Sequence, residues 1–246
     1  MTLEKLLQSQ GFGSRRDCRN LILAGRVAID GAIQEQPGAE VDPHGLVFTI
    51  DGTPWRYRQF AYLALHKPAG YECSHKPHMH PSVFSLLPPQ LVARGVQCVG
   101  RLDFDTTGLL LLSDDGAFIH RCSSPKHQLP KRYRVTAKHP LTAAQLAALQ
   151  DGVVLHDAPQ PVRALACKQV AEHQLDLTIG EGKYHQVKRM LAAAGNRVEA
   201  LHRSAVGGFE LEAELAPGQW RWLEADDLTR IEGAPPAAIS EDQPAA

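Results

Sequence analysis

The run Thr107-Gly-Leu-Leu-Leu-Leu-Ser-Asp-Asp-Gly116 constrains the fold of this chain more than any other segment. Its four consecutive leucines have the length and apolar content of a buried strand, and Asp-Asp-Gly closes it as a turn. A buried strand needs a domain around it, and 246 residues suffice for one large domain, or a large one and a small one. Directly ahead of the run, Gly-Arg-Leu-Asp-Phe-Asp-Thr sets Asp103 and Asp105 two residues apart. An aspartic protease uses Asp-Thr/Ser-Gly twice, so that two carboxylates share one proton. Here Asp105-Thr-Thr-Gly occurs once, with an extra threonine. A glycosidase needs its acids on opposite sides of a sugar. Residues two apart on a strand share one face, and in a turn the spacing fixes no relation, so the pair alone does not support that chemistry.

Charge placement adds a partner class. The totals nearly cancel, with 26 basic and 27 acidic residues. Yet His120 to His139 carries Arg121, Lys126, Lys131, Arg132, Arg134 and Lys138 with no acid, and Lys183 to Arg203 carries five cations against Glu199. Two basic stretches interleaved with Tyr and His suit a phosphate-lined partner, RNA or DNA. No apolar run approaches a membrane span, and the first ten residues lack the pattern of a secretory leader. The five scattered cysteines contain no Cys-x-x-Cys and read as reduced thiols of a cytosolic protein.

Residues 2 to 24 read as two helices broken at Gly-Phe-Gly, with a Ser14/Asp17 capping box and Gly25 as the stop. On the second helix Cys18, Leu21 and Ile22 form the apolar stripe, Arg16 and Arg19 point away, and Arg15 lies on the flank. Gly-Arg-Val-Ala-Ile-Asp-Gly alternates as a strand into an Asp-Gly turn, and residues 44 to 55 read as another strand. The series Leu3, Leu7, Gly11, Ser14, Arg15, Leu21, Ile22, Gly25, Val27, Asp30, Gly31 resembles the αL RNA-binding module named for ribosomal small-subunit protein four. That resemblance covers residues 1–58 and implies RNA binding, with Arg15, Arg16, Arg19 and Arg26 as phosphate contacts.

Beyond it, strands are expected at residues 62–68, 96–103, 107–113, 131–137, 173–182 and 197–211, and helices over 142–152 and 183–196. Strands outnumber helices without regular alternation, so the class is α+β, with a mostly antiparallel sheet flanked by helices in residues 59–231. Residues 232–246 are Pro/Ala-rich and acidic and read as a disordered tail. Cys73, His75, His78 and His80 form a histidine-rich loop whose irregular spacing, broken by Pro77, does not read as a metal site. On a wheel of the 183–196 helix, Val187, Met190, Leu191 and Ala194 share the core face and Arg189 lies opposite. Lys188 sits at the edge, where its ammonium can pair with a buried aspartate and keep it ionised.

Four ordered motifs span most of residues 60 to 231: Lys67-Pro-x-Gly70, the Gly100–Gly116 block, Lys131-x-Tyr133, and Glu181-Gly-Lys-x-His-Gln-Val-Lys-Arg-Met190. Together they resemble a pseudouridine synthase of the ribosomal small-subunit type, a branch that carries an RNA-binding module ahead of the catalytic domain. The resemblance implies isomerisation of one uridine in ribosomal RNA, small-subunit RNA first and large-subunit RNA as the alternative. A non-catalytic rRNA-binding or assembly protein, or a nucleoside hydrolase, would be the competing classes. It implies Asp103 as the catalytic aspartate, Tyr133 stacking on the uracil, Lys188 paired with the aspartate, Ile179 under the base, and Arg101 displacing the target from its stack. Lys131, Arg132 and Arg189 join the RNA-binding set. The chemistry calls for no cofactor and no metal, because nothing is oxidised and no external reactant enters. A single carboxylate serves, whether by adding to carbon 1′ or by removing the proton at carbon 2′. The expected partner is rRNA or a pre-ribosomal particle in the cytoplasm, bound by a monomer without membrane contact.

Overall fold

The computed structural model describes residues 1–156, 158 and 160–233 and divides into two compact units. The first comprises Met1–Ala61, Leu87–Gln97 and Ser113–Asp115; the second holds Tyr62–Leu86, Cys98–Leu112 and the chain from Gly116 onward.

In the first unit, α1 (Leu3–Ser9) and α2 (Arg15–Leu23) precede strands β1 (Val27–Ile29), β2 (Ala32–Gln34), β3 (Val47–Ile50) and β4 (Thr53–Arg56), and α3 (Pro89–Ala93) completes it. The Ser14/Asp17 capping box is formed as expected, each partner satisfying the other's backbone N–H. The strands form one sheet in the order β2-β1-β3-β4. Residues 44–55, expected as one strand, are instead the hairpin β3/β4. Asp51 and Gly52 both take positive φ there, as Asp30 and Gly31 do between β1 and β2, and this is the turn a two-residue hairpin requires. Leu3, Leu6, Leu7, Cys18, Ile22, Val27 and Phe48 form the core. Arg94, nearly buried, pairs with Asp114 at 2.8 Å and donates to Gln10 Oε1 at 3.0 Å, which ties segments 87–97 and 113–115 into this unit.

The second unit is built on a nine-stranded sheet. Its strands are β5 (Tyr62–Lys67), β6 (Gln97–Cys98), β7 (Thr107–Ser113), β8 (Lys131–Ala137), β9 (Ala166–Ala171), β10 (Gln174–Ile179), β11 (Val198–Val206), β12 (Phe209–Glu210) and β13 (Trp220–Trp222). The main order is β13-β5-β7-β11-β8-β10-β9, with β12 beside β11 and β6 beside β7. β11 runs parallel to β7 and antiparallel to β8, so the sheet is mixed and mostly antiparallel, as expected. The helices are α4 (Gly116–Ser123), α5 (Ala143–Asp151), α6 (Gln186–Ala193) and α7 (Ala225–Glu232). The Leu109–Leu112 run is buried on both faces, and Leu109 and Leu111 pack against Phe118, Phe209, Leu223 and Ile231. β9, β13, α4 and α7 are not among the expected elements; β9 is largely exposed and does not alternate, whereas α7 opens on a Glu224/Asp227 capping box that the sequence reading passed over. The segment read as a disordered tail begins inside α7 at Glu232, and from Ala234 it lies outside the described residues.

The contact between β7 and β11 explains Gly108. Its φ is +105°, and a Cβ there would lie 2.3 Å from the Arg203 carbonyl oxygen. The overlap is with backbone, which cannot step aside without breaking the parallel pairing. Gly108→Ala should therefore lower stability by at least about 2 kcal/mol, read as a fall in thermal midpoint. An unchanged midpoint would show that the two strands are free to separate.

Candidate active site

The acid pair sits in the loop between β6 and β7, held from below by a buried cation. Lys67, at the end of β5, is fully buried. Its Nζ donates to the carbonyl oxygens of Pro68 (3.0 Å), Phe104 (3.2 Å) and Thr106 (2.8 Å). Burial pushes its ammonium below the usual lysine range, while the charges of Cys73, Asp105 and Asp103 oppose that shift. The Gly70 N–H adds a 2.7 Å bond to the Phe104 carbonyl, and the Leu102 N–H reaches Cys73 Sγ at 3.5 Å. The Lys-Pro-x-Gly strand end is thus a clamp on the loop that carries both acids.

Lys188, on α6, lies between the two carboxylates. Its Nζ is 3.1 Å from Asp103 Oδ2 and donates to both oxygens of Asp105, at 2.7 and 2.9 Å. The sequence reading paired Lys188 with Asp103 alone; in the structure one ammonium serves both. Partial burial works against ionisation of Asp105, but the Lys188 hydrogen bond and charge outweigh it and hold the carboxyl below its usual range. Burial likewise opposes the Lys188 charge, and its hydrogen bonds to Asp105 and Asp103 raise it above the usual lysine value.

A further group faces Asp103. His185 Nε2 stands 3.3 Å from Asp103 Oδ1. The helix expected from Lys183 starts only at Gln186, because His185 adopts a left-handed conformation with φ +48°. That conformation is uncommon for a residue with a side chain, and strain of this kind collects at functional sites. The histidine stands in the Glu-Gly-Lys-x-His motif, but spacing alone gave it no role.

Strand alternation sorts the basic residues of β8. Lys131 and Tyr133 face a cleft that Asp103, Arg101, Ile179 and Lys188 also line. Arg132 and Arg134 alternate to the other face, where Arg132 pairs with Glu210 at 2.7 Å and Arg134 with Asp176 at 2.5 Å. Arg132 is therefore not brought to the cleft. The two basic stretches do meet there, one through Lys131 and the other through Lys183, Lys188 and Arg203. Lys131 is lowered to about 8 by burial first and by the charge of Arg203 second. Arg189, at the start of α6, donates to the Tyr184 carbonyl at 3.1 Å. In the N-terminal unit, Arg15 and Arg19 flank the buried Glu4 carboxylate at 2.5 and 3.7 Å, with most of each arginine exposed. Arg16 is exposed, and Arg26 is paired with Asp51.

The histidine-rich loop walls an adjoining hollow that shares Arg101, Asp103 and His185 with the cleft. Glu72 organises it, accepting the backbone N–H groups of His78 (3.0 Å), Met79 (2.9 Å) and His80 (2.9 Å). His75 stacks on Phe84, and His80 stacks on Phe104 with ring centroids 4.6 Å apart. Among the described residues, no three His, Cys, Asp or Glu side chains gather as a metal-holding group.

The cleft thus holds one carboxylate between a lysine and a histidine, with Tyr133 and Ile179 lining the same space. Residues 61–193 match the family described as RNA pseudouridylate synthase, and residues 1–47 match the S4 domain. The chain is 39% identical to "Ribosomal small subunit pseudouridine synthase A" of Yersinia pestis, over 96% of this chain and 99% of the relative. It is 38% identical to the protein of the same name from Escherichia coli K12, over 94% and 100%. A solved structure of a pseudouridylate synthase, 31% identical, superposes with a TM-score of 0.67 over 94% of this chain and 99% of the other. The chain belongs to the RNA pseudouridylate synthase family, and an S4 domain precedes its catalytic part.

Glu72 gives this site a pH signature. The three backbone N–H donors lower its carboxyl from 4.5 to about 2. A depressed folded-state value means that the stabilisation of the loop is complete above 4.5 and lost as the pH falls towards 2. Hydrogen-exchange protection of the His78, Met79 and His80 amides should follow that window in the wild type and be largely absent at neutral pH in Glu72→Ala. Equal protection in the variant would show that other contacts order the loop.

Proposed function

We propose that this protein converts one uridine of small-subunit ribosomal RNA to pseudouridine, with Asp103 as the reacting carboxylate. The observation that carries the assignment is the position of the two acids. Asp103 lines the cleft with Tyr133 and Ile179, whereas Asp105 is not among the cleft-lining residues and has both of its carboxylate oxygens held by Lys188. In this reading the target uridine leaves its stack, as a base must to be reached, and lies against Tyr133 with Ile179 beneath. Arg101, exposed at the mouth shared by cleft and hollow, occupies the place the base vacates. Lys188 and His185 fix the orientation of the Asp103 carboxylate. The S4 unit, within residues 1–58, adds sequence-independent affinity through Arg15, Arg16, Arg19 and Arg26; on the catalytic unit, residues 59–231, Arg189 extends that contact and Lys131 meets the RNA inside the cleft. The names of the relatives support small-subunit RNA as the substrate. The protein acts as a monomer in the cytoplasm, where rRNA is assembled, and needs no cofactor. Among the described residues, no helix is long and apolar enough to cross a membrane.

The test exploits the bond that forms. Joining carbon 5 of uracil to the ribose expels the hydrogen at carbon 5, so tritium release from [5-³H]uridine in rRNA counts turnovers. Asp103→Asn should lose at least about 10³-fold in rate with rRNA binding near wild type, because the charge is removed and the shape kept. Asp105→Asn, which removes one charge-assisted contact outside the cleft, should stay within about tenfold. Lys188→Met should lose on the order of 10²-fold. Near-normal turnover by Asp103→Asn, or a dead Asp105→Asn with intact binding, would assign the chemistry to the other acid.

A further inference from the structure

Four buried side-chain polar atoms of the described residues lack a hydrogen-bond partner, and two of them, Arg203 Nη2 and Thr106 Oγ1, belong to residues that line the Asp103 cleft. Arg203 is only 3% exposed. It is fixed at one end, where Nε donates to the Leu109 carbonyl at 2.7 Å. Its backbone is held too, since Gly108 lets β7 approach that residue closely. In the antiparallel register Arg203 pairs with Tyr133, and Lys131, two residues from Tyr133, faces the same cleft. Among the described residues, no carboxylate lies within ion-pair distance of Arg203 or Lys131. A buried guanidinium and a half-buried ammonium facing one cleft with no carboxylate paired to either are costly, and a buried guanidinium donor with no acceptor adds to that cost. Lys131 registers that cost directly, being lowered to about 8 by burial and then by the charge of Arg203. Such an arrangement is explained if a ligand brings the acceptor and the negative charge.

We propose that Arg203, with Lys131 beside it, binds a carbonyl oxygen of the target uracil and stabilises the negative charge the base carries when its bond to the ribose breaks. Thr106 Oγ1 takes the neighbouring N3–H of the same base edge. The inference rests on the reading of the cleft as the uridine site. In the step concerned, the bond between carbon 1′ and N1 breaks and its electron pair leaves with the base, spread over N1, O2 and O4. This holds whether Asp103 adds to carbon 1′ or removes the carbon 2′ proton. The base then turns, carbon 5 bonds to carbon 1′, the carbon 5 proton is lost, and N1 takes up a proton. Atoms and electrons balance without a further reactant. A cation aimed at a carbonyl oxygen acts most strongly on the anionic base and less on neutral uridine, and so it speeds departure more than it tightens binding. The role differs from that of Lys188, whose ammonium is engaged by the two aspartates.

The experiment compares uridine with 5-fluorouridine in transcribed small-subunit rRNA assembled with ribosomal proteins. Fluorine stabilises the departing base anion and lessens the need for protein cations. Loss of the N-linked nucleoside at the target, followed under single turnover by digestion and mass spectrometry, reports on the cleavage step for both bases. Arg203→Gln should slow cleavage on the order of 10²-fold on uridine. The loss on 5-fluorouridine should be several-fold smaller, with RNA affinity unchanged. Lys131→Met, which gives up one hydrogen bond to the Leu129 carbonyl, should show the same pattern and decides the matter if Arg203→Gln does not fold. Equal losses on the two bases would make Arg203 and Lys131 structural braces and overturn the proposal. A loss confined to affinity, with a flattened salt dependence, would make them phosphate contacts and overturn it equally. Absence of pseudouridine in the wild-type uridine arm would fail the underlying reading itself, and the proposal with it.

Discussion

An ammonium ion has three N–H groups and no acceptor, and removing it from water is unfavourable unless all three are satisfied. Lys67 meets that condition with the carbonyls of Pro68, Phe104 and Thr106. Two of those acceptors flank Asp105 and follow Asp103 closely in the chain, so the lysine's own need for acceptors dictates the path of the acid-bearing loop. The arrangement is self-consistent in charge as well, because Asp103 and Asp105 both favour the charged form of Lys67. The loop therefore has a cation beneath it, Lys67, and one above it, Lys188. The geometry of Asp103 depends on both.

The sheet supplies the rest by alternation and register. β8 carries four cationic or aromatic residues in succession, Lys131 to Arg134, and the two-residue period sends Lys131 and Tyr133 into the cleft and Arg132 and Arg134 away from it. β11 then sets Arg203 opposite Tyr133, and β10 sets Ile179 opposite Lys131. The parallel contact of β11 with β7 is possible at that point because residue 108 has no side chain. Ile179, Tyr133 and Arg203 thus reach the cleft from three strands whose relative positions are fixed by backbone hydrogen bonds, and Asp103 joins them from the loop that Lys67 holds.

What could be read from the sequence was what local physics determines. The capping box at Ser14, the first Asp-Gly turn, the doubly buried leucine strand and the core face of α6 each depend on residues within one or two turns of each other, and each is present. The second Asp-Gly turn was equally legible in principle, but the surrounding run of β-formers hid it inside a single expected strand. The edge strand β9 left no pattern because its exposed residues need none. In the site, motif resemblance singled out Asp103, Tyr133, Ile179 and Lys188, and the structure brings them to one cleft. It did not single out Lys67 or Arg203 as site residues, since a lysine that grips carbonyls some 40 residues away has no local signature. Nor did it foresee the left-handed His185, whose backbone is set by the turn before α6.

The central claim is that this fold and this cleft convert a uridine of small-subunit rRNA, and mapping pseudouridine across all rRNA in cells with and without the gene tests it most directly. The account predicts that a single small-subunit pseudouridine disappears on deletion and returns with the wild-type protein, with every large-subunit position unchanged. An unchanged small-subunit profile, or the loss of a large-subunit pseudouridine, would contradict it.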